Sequence, residues 1–176
     1  NRWGFFPSVS GAWKINEEAF MRDLDWVGTT KLRLSWGQAG NDRIGTAQFL
    51  SNMSTLNYPV GESQALNSGY VVGNIANNML GWETTTSYNV GVDFGLFNNR
   101  IYLSADYYKK TTKDLLLKAP VSLITGFANM MDNVGNVDNW GLEFELNTAN
   151  ITTNTFRWNS SLNISLNRNK ITSLGD

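Results

Sequence analysis

Two acidic residues, Glu143 and Glu145, are the strongest candidates for chemistry in this sequence. They stand two positions apart in a run that alternates polar and apolar residues, so a β-strand would place both carboxylates on one face, roughly 7 Å apart. That separation is within reach of the acid and base of an inverting glycosidase. Nothing else in the sequence supports hydrolysis, and Asp93 and Asp106 occupy similar positions in other alternating runs. The sequence therefore favours carboxylates that line a water-filled interior over catalytic ones.

Histidine and cysteine are both absent from the chain. Their absence removes the usual serine and cysteine triads and most zinc sites, so we do not expect an enzyme. A cluster of oxygen-bearing side chains could hold calcium, but it lacks the twelve-residue spacing and terminal glutamate of a helical calcium loop. The cluster comprises Asp132, Asn133, Asn136, Asp138 and Asn139. We predict no metal site and no cofactor.

Long alternating strands must position these residues. Between Phe156 and Asn169, apolar residues stand mostly at the even-numbered positions and Asn and Ser at the odd-numbered ones. This run has about fourteen residues, whereas strands typically have five or six. Tilted by about 45°, it would span the ~25 Å apolar band of an outer membrane. Similar runs predict six antiparallel strands, at residues 5–15, 30–37, 82–96, 101–108, 140–147 and 156–169.

The alternation gives each strand an apolar side and a polar side. We predict that one set points to lipid, namely Val90, Val92, Phe94, Leu103, Leu142, Phe144, Leu162 and Ile164. We predict that a second set lines the barrel lumen, namely Asn89, Asp93, Asp106, Glu143, Glu145, Asn163 and Asn167. The two sets mixed on one face would contradict a barrel.

Composition supports a membrane-embedded β-protein. Charged residues make up 16% and aromatic residues 12% of the chain, and the net charge is −1. A charge so close to zero gives no reason to expect a nucleic acid partner. No run of eighteen apolar residues predicts a transmembrane helix. The fold class we predict is all-β, an antiparallel transmembrane β-barrel segment of about six strands in a larger barrel, with outer-membrane lipid as its surroundings.

The connections differ in length at the two ends of the predicted strands. Residues 37–81 and 111–133 form long links, whereas residues 97–99 and 148–155 form short ones. Because outer-membrane barrels keep long loops outside and short turns on the periplasmic side, we assign the long links to the outside. The first turn, at residues 16–29, is longer than this rule favours, and its segment from Glu17 to Asp25 is predicted to form one or two helical turns capped by Asn16.

The long outer links carry the candidate ligand contacts. Phe49, Tyr58 and Tyr70 could stack on sugar rings or peptide side chains, and they could equally pack the loop against itself. The stretch from Asn67 to Asn78 is rich in Asn, Gly and Ser, and we predict that it forms a mobile hinge or a contact surface. Together with lumenal Asp93, Asp106, Glu143 and Glu145, the three aromatic residues complete the predicted ligand-binding set.

Six segments resemble, in order, the C-terminal barrel half of SusC/RagA-type TonB-dependent transporters of Bacteroidetes. They are GFFPSVSGAW at 4–13, LRLSWGQAGN at 32–41, WETTTSYNVGVDFGLFNNRI at 82–101, DYYKKTTKDLLL at 106–117, NVGNVDNWGLEFEL at 133–146 and the strand at 158–174. The resemblance covers essentially the whole chain, so residues 1–176 are interpreted as part of the barrel domain.

The resemblance implies a 22-stranded parent barrel in the bacterial outer membrane, with an N-terminal plug. It implies active import of glycans or oligopeptides, with a SusD-like surface lipoprotein as partner. Energy would come from TonB-ExbB-ExbD through the N-terminal part of the parent protein. The plug and the TonB-contacting segment have no counterpart in this sequence.

A second hypothesis is a soluble or surface-exposed all-β module that binds glycans or mediates adhesion. Strand length and the fate of the apolar face separate the two hypotheses. A soluble module must cover its apolar face by pairing or stacking, whereas a barrel wall presents that face to lipid.

Overall fold

The structure, a computed structural model, describes residues 3–42, 49–62 and 65–174. Six long strands are β1 (Ser8–Lys14), β2 (Val27–Asn41), β5 (Glu83–Leu96), β6 (Ile101–Lys113), β9 (Asn136–Thr152) and β10 (Arg157–Ser173). They form one antiparallel sheet in the order β1-β2-β5-β6-β9-β10. Two separate hairpins are β3 (Met53–Val60) with β4 (Ala65–Val72), and β7 (Leu116–Pro120) with β8 (Asn129–Asn133).

The six predicted strands are confirmed, and most are longer than the alternation indicated. Strand β2 continues to Asn41, β6 to Lys113, and β9 from Asn136 to Thr152. At the end of the sheet formed by Asn41, Lys113 and Asn136 both faces are polar, so the alternation fades while the backbone pairing continues. Both hairpins lie at this end of the sheet, because they connect β2 to β5 and β6 to β9. We call it the hairpin end, and the opposite end the turn end.

The pairing register places the two predicted sets of side chains on opposite faces. Val92 of β5 lies between Leu32 of β2 and Ala105 of β6, whereas the next residue, Asp93, lies between Lys31 and Ser104. The same separation continues into the last strands, where Phe144 pairs with Ile164 and Glu145 with Asn163. The prediction of one apolar face and one polar face is therefore confirmed, and we use these two names below.

A β-bulge preserves the apolar face where β9 approaches the turn end. Ala149 pairs with Asn159 and Ile151 with Trp158, which leaves Asn150 as the extra residue. A bulge of this kind shifts the parity of every later residue in its strand. Ile151 consequently lies on the apolar face beside Trp158 instead of on the polar face.

The sheet has no buried apolar core within the described ranges. No hydrophobic side chain there is buried, and Leu162 and Ile164 are 50% and 57% exposed. The apolar face is thus an uncovered surface far larger than the few hundred Å² that a soluble monomer exposes. No helix in this part of the chain is long and apolar enough to cross a membrane.

The connections at the turn end are short and well bonded. The 3-10 helix Ala19–Met21 lies within the predicted helical segment, whereas the 3-10 helix Ile15–Glu17 begins before it. The predicted cap is wrong, because the Asn16 side chain caps neither helix and its Oδ1 accepts a hydrogen bond from Thr30 N at 3.1 Å. Asn98 and Asn99 form the predicted tight turn, with φ values of 57° and 60°.

Candidate functional site

An arginine joins three strands on the polar face. Arg33 of β2 donates to both carboxylate oxygens of Asp93 on β5, from Nε at 3.0 Å and from Nη2 at 2.9 Å. The same Nη2 donates to Asp106 Oδ2 on β6 at 2.8 Å and to Ser104 Oγ at 3.2 Å. Ser104 in turn donates to Asp93 Oδ1 at 2.9 Å. We call these four residues the arginine cluster.

A glycine makes room for this cluster. Gly91 lies directly between Arg33 and Asp106 in the register of the three strands. A Cβ at that position would lie 2.7 Å from the guanidinium carbon of Arg33 and would also meet the Asp106 carboxylate. The Arg33 side chain can therefore cross β5 and reach Asp106 only because residue 91 has no side chain.

The remaining acidic residues lie beside the cluster. In the register, Asp106 is followed by Glu143 and Ser165, and Ser104 is followed by Glu145 and Asn163. A groove on the polar face is lined by Ser104, Asp106, Glu143, Glu145, Asn163 and Ser165 among others. Glu145 accepts a hydrogen bond from Asn147 at 2.6 Å. The structure thus brings all four predicted carboxylates, Asp93, Asp106, Glu143 and Glu145, onto neighbouring strands.

The charges of the polar face are distributed unevenly. Lys14, Lys31 and Arg33 lie on β1 and β2, whereas the four carboxylates lie on β5, β6 and β9. Two further cations of this face, Lys110 of β6 and Arg157 of β10, lie towards the ends of their strands. Arg33 contacts Asp93 and Asp106, whose side chains are 9% and 31% exposed, so those two acids are already compensated. Glu143 makes no side-chain hydrogen bond or ion pair within the described residues. Glu143 is therefore the most available carboxylate for a solute.

The three predicted aromatic contacts do not form one platform. Tyr58 pairs with Asn67 and Tyr70 with Thr55, so the two rings point to opposite faces of the β3–β4 hairpin. Their residues are 47% and 74% exposed. Phe49 lies in a turn before the hairpin and is also exposed. A single flat ligand cannot stack on both tyrosines of one hairpin.

The base of the β3–β4 hairpin is closed by one asparagine. The Asn74 side chain accepts from Asn52 N at 2.7 Å and donates to Leu50 O at 2.9 Å. Gly73 N also donates to Asn52 O at 2.7 Å. Residues 67–72 of the stretch at 67–78 lie in β4, and Asn74 is held by hydrogen bonds, while the mobile hinge or contact surface there stays a prediction. Residues 43–48 and 63–64 of the same outer link lie outside the described residues.

Two further asparagines connect the two outer links, residues 73–82 and 114–133, to each other. Asn77 is only 8% exposed and donates to Met131 O and to Asp132 Oδ1, both at 3.0 Å. Asn133 accepts from Gly81 N at 2.7 Å and donates to Asp114 O at 2.9 Å. Asp132 and Asn133, considered above for calcium, therefore bond to the protein itself. These contacts hold the two outer links together.

Sequence reasoning missed two features of this region. In the sequence, Arg33 is only one of several residues on the polar side of its strand. Nothing local indicates that its partners are sixty and seventy-three residues further along. Asn77 was visible only as part of an Asn-rich stretch. In both cases the signal lies in the pairing of strands distant in sequence, which the alternation pattern does not specify.

These features define a class of protein. Long strands with an apolar face and a charged face, long links at one end and shorter turns at the other are typical of an outer-membrane β-barrel wall. In such a barrel the apolar face meets lipid and the polar face lines the lumen. Comparison with known proteins identifies the family within this class.

The chain belongs to the family described as TonB dependent receptor-like, beta-barrel, which it matches over residues 1–174. It is 39% identical over 175 residues to TonB-dependent receptor P26 of Formosa agariphila, covering 99% of this chain and 18% of that protein. It is also 39% identical over 180 residues to the TonB-dependent receptor SusC of Bacteroides thetaiotaomicron, again covering 99% of this chain and 18% of that protein.

Solved structures agree with this assignment. The RagAB peptide importer in its "closed-closed" state superposes with a TM-score of 0.85 at 30% identity, covering 97% of this chain and 18% of that chain. The "open-open" state of the same importer gives a TM-score of 0.85 and covers 99% of this chain. The resemblance to SusC/RagA-type transporters is thereby confirmed. The chain spans less than a fifth of the length of these relatives.

Proposed function

We propose that this chain is part of the barrel wall of a TonB-dependent importer in the bacterial outer membrane. The importer takes up glycans or oligopeptides, works with a SusD-like surface lipoprotein, and receives energy from TonB-ExbB-ExbD through the N-terminal part of the parent protein. One observation carries the proposal: five strands of 13 to 17 residues, long enough to cross the membrane, and the shorter edge strand β1 separate an apolar face from a charged face. Membership in the TonB-dependent receptor family supports it.

The polar face gives this wall a role in guiding a solute. Four carboxylates lie on three neighbouring strands, and the arginine cluster holds two of them in place. Glu143 and Glu145 remain beside a groove that opens on the polar face. Hydroxyl and amide groups of a glycan or a peptide can donate hydrogen bonds to these oxygens. The cargo therefore meets fixed acceptors as it passes this part of the lumen.

The hairpin end provides the surface for the lipoprotein. Exposed apolar side chains lie on both faces of the β3–β4 hairpin, which a free surface loop would not need; they include Met53, Leu56, Leu66 and Tyr70. The hydrogen bonds of Asn74 and Asn77 hold the base of this hairpin. A hairpin that is firmly based and apolar on two sides suits a protein partner better than a small solute.

The test uses the full-length transporter with residues 53–72 replaced by a short Gly-Ser link. Asn52 and Gly73 are already hydrogen bonded, so the cut ends lie together and the base is kept. We expect normal surface abundance, weaker capture of the lipoprotein and reduced uptake of labelled oligosaccharide or oligopeptide. A matched control replaces residues 121–128, the link between the β7 and β8 strands. Unchanged lipoprotein capture and uptake would remove the hairpin from the mechanism.

The alternative is a soluble or surface-exposed module that binds glycans through an aromatic face. It requires the apolar face of the sheet to be covered. Fractionation of cells that produce the full-length protein decides between the two. Recovery in the outer membrane with heat-modifiable migration supports the importer, whereas a detergent-free monomer with a cooperative melt overturns it.

A further inference from the structure

The apolar face carries charged side chains at one end only. Within the described strands of the main sheet, the charged residues on this face are Lys109, Lys113, Asp138, Arg168 and Lys170. All five lie at the hairpin end, beyond the apolar residues of their strands. At the turn end the same face ends in Trp13 and Trp158, with no charged side chain on the described strands.

The register arranges these residues in two rows across neighbouring strands. One row runs Trp36, Tyr88, Lys109, Trp140, Arg168, so that aromatic and cationic side chains alternate from Tyr88 onwards. The next row runs Thr86, Thr111, Asp138, Lys170. Lys109 and Arg168 flank Trp140 and are separated by about 10 Å, two strand spacings. Their long side chains can therefore reach the same bound group.

The patch has an excess of positive charge. Asp138 is the single acid among the five, and its Oδ2 lies 3.8 Å from Lys109 Nζ while its Oδ1 accepts from Thr111 at 2.8 Å. Lys113, Arg168 and Lys170 are exposed and make no side-chain hydrogen bond or ion pair within the described residues. Three cations thus have no protein partner in this part of the chain.

The height of the patch matches the headgroup region. Ten residues separate Trp158 from Arg168 on β10, about 33 Å along the strand at 3.3 Å per residue. Tilted by about 40°, this distance corresponds to roughly 25 Å across the membrane, the height of the apolar band in outer-membrane barrels. Cations at this level avoid the cost of burial in hydrocarbon and stand where lipid phosphates lie.

We propose that Lys109, Arg168 and Lys170, around Trp140, bind the phosphate of an anionic lipid in the outer leaflet. This inference rests on the proposed location in the outer membrane. Snorkelling of long side chains towards water would occur at both rims of the barrel alike, but only the hairpin end is cationic. Arg168 supplies the planar donor pair that suits phosphate, and the two lysines supply point charges. Trp140 fixes the sugar or glycerol part of the headgroup at the interface.

The experiment measures lipid retention by the full-length transporter. The probe is lipid A that carries phosphate, compared with the same lipid after phosphatase treatment, each added to the delipidated protein and counted by native mass spectrometry. The variant Arg168→Gln/Lys170→Gln removes two cations from the patch. Arg157→Gln/Lys110→Gln is the control, because it also removes one arginine and one lysine, but from the polar face of β10 and β6.

We expect the wild-type protein to retain phosphorylated lipid A over the dephosphorylated form. Since each cation near an anionic headgroup contributes about a fivefold preference, the double variant should lose roughly 25-fold. The control should retain the wild-type preference, and Arg168→Lys should lose only part of it. Equal retention of the two lipids by the wild-type protein, which needs no variant, overturns the proposal, as does an equal loss in the control.

Failure of this proposal differs from failure of the proposed function. If the lipid site is wrong, the protein still fractionates with the outer membrane and imports its cargo, but shows no preference for phosphorylated lipid. If the proposed location is wrong, the wild-type protein does not fractionate with the outer membrane at all.

Discussion

The two faces of this sheet are built from the same strands but follow different rules. On the apolar face, Val92 simply lies among other apolar side chains, and its neighbours can be exchanged for similar ones. On the polar face, Asp93 depends on one particular arginine from another strand, at 2.9 and 3.0 Å. The lipid side therefore needs only the right type of residue, whereas the lumen side needs particular partners.

The difference has a physical cause. Lipid tails make no directional contacts, so the free energy of the apolar face depends on the polarity of each residue and on its depth in the bilayer. A charged group such as Asp93, 9% exposed in its side chain, must instead find donors at hydrogen-bond distance. Those donors come from neighbouring strands, and their positions depend on the register of pairing.

A charge placed on the lipid side tests the assignment of the two faces most directly. Ile164 lies near the middle of the apolar face on β10, next to polar-face Asn163. We expect Ile164→Lys to reduce the free energy of unfolding of the full-length protein by about 2–4 kcal/mol, because lysine near the midplane must leave water. Asn163→Lys is the control and should change it little. Denaturant titration in phospholipid vesicles measures both, and equal losses would contradict the assignment of faces.

Removing the arginine tests the polar face. Arg33→Gln leaves Asp93 and Asp106 without their shared cation. Because the Arg33 side chain is 36% exposed, the loss should be modest, about 1–2 kcal/mol of unfolding free energy. A double-mutant cycle with Asp93→Asn measures the coupling in the same titration. Additive losses in that cycle would show that the pair contributes nothing beyond its separate members.

A methyl group at Gly91 tests the space that the cluster needs. We expect Gly91→Ala to cost about 1 kcal/mol, because its Cβ would displace the Arg33 guanidinium. The effect should largely vanish when Arg33→Gln is already present. Gly11 on the apolar face has no atom within 4 Å of an added Cβ, so Gly11→Ala is the matched control. A loss at Gly11 equal to that at Gly91 would argue for a general effect of strand glycines.

These results indicate how far the sequence could predict the molecule. The strands and their two faces were predictable, because a strict two-residue period places neighbours such as Leu162 and Asn163 on opposite faces. The carboxylates of the polar face were predictable by the same period. Arg33 as their partner was not, because the pattern of β2 and that of β5 carry no information on their mutual register. The length of β9 was also missed, since alternation ends where both faces become polar.

The outer links show the same limit. Sequence composition favoured a mobile stretch at 67–78, because Asn, Gly and Ser are common in loops. The structure uses Asn74 and Asn77 as hydrogen-bonding groups that each satisfy more than one partner. Composition describes what a residue type often does. It does not indicate whether a partner will be within reach.

The smallest expected effect comes from the contact between the two outer links. Asn77→Ala removes the donors to Met131 O and Asp132 Oδ1 while leaving every strand of the main sheet paired. We expect little change in the global free energy of unfolding, but about a five- to 25-fold faster amide exchange at residues 53–72, since the two lost hydrogen bonds together contribute about 1–2 kcal/mol locally. Asn67→Ala is the matched control, because Asn67 bonds only to Ala65 O within its own hairpin. Mass-resolved hydrogen exchange on the full-length protein separates the two variants. Faster exchange in both variants would place the restraint within the hairpin. Faster exchange in Asn77→Ala alone places it between the outer links, because the partners of Asn77 are distant in sequence.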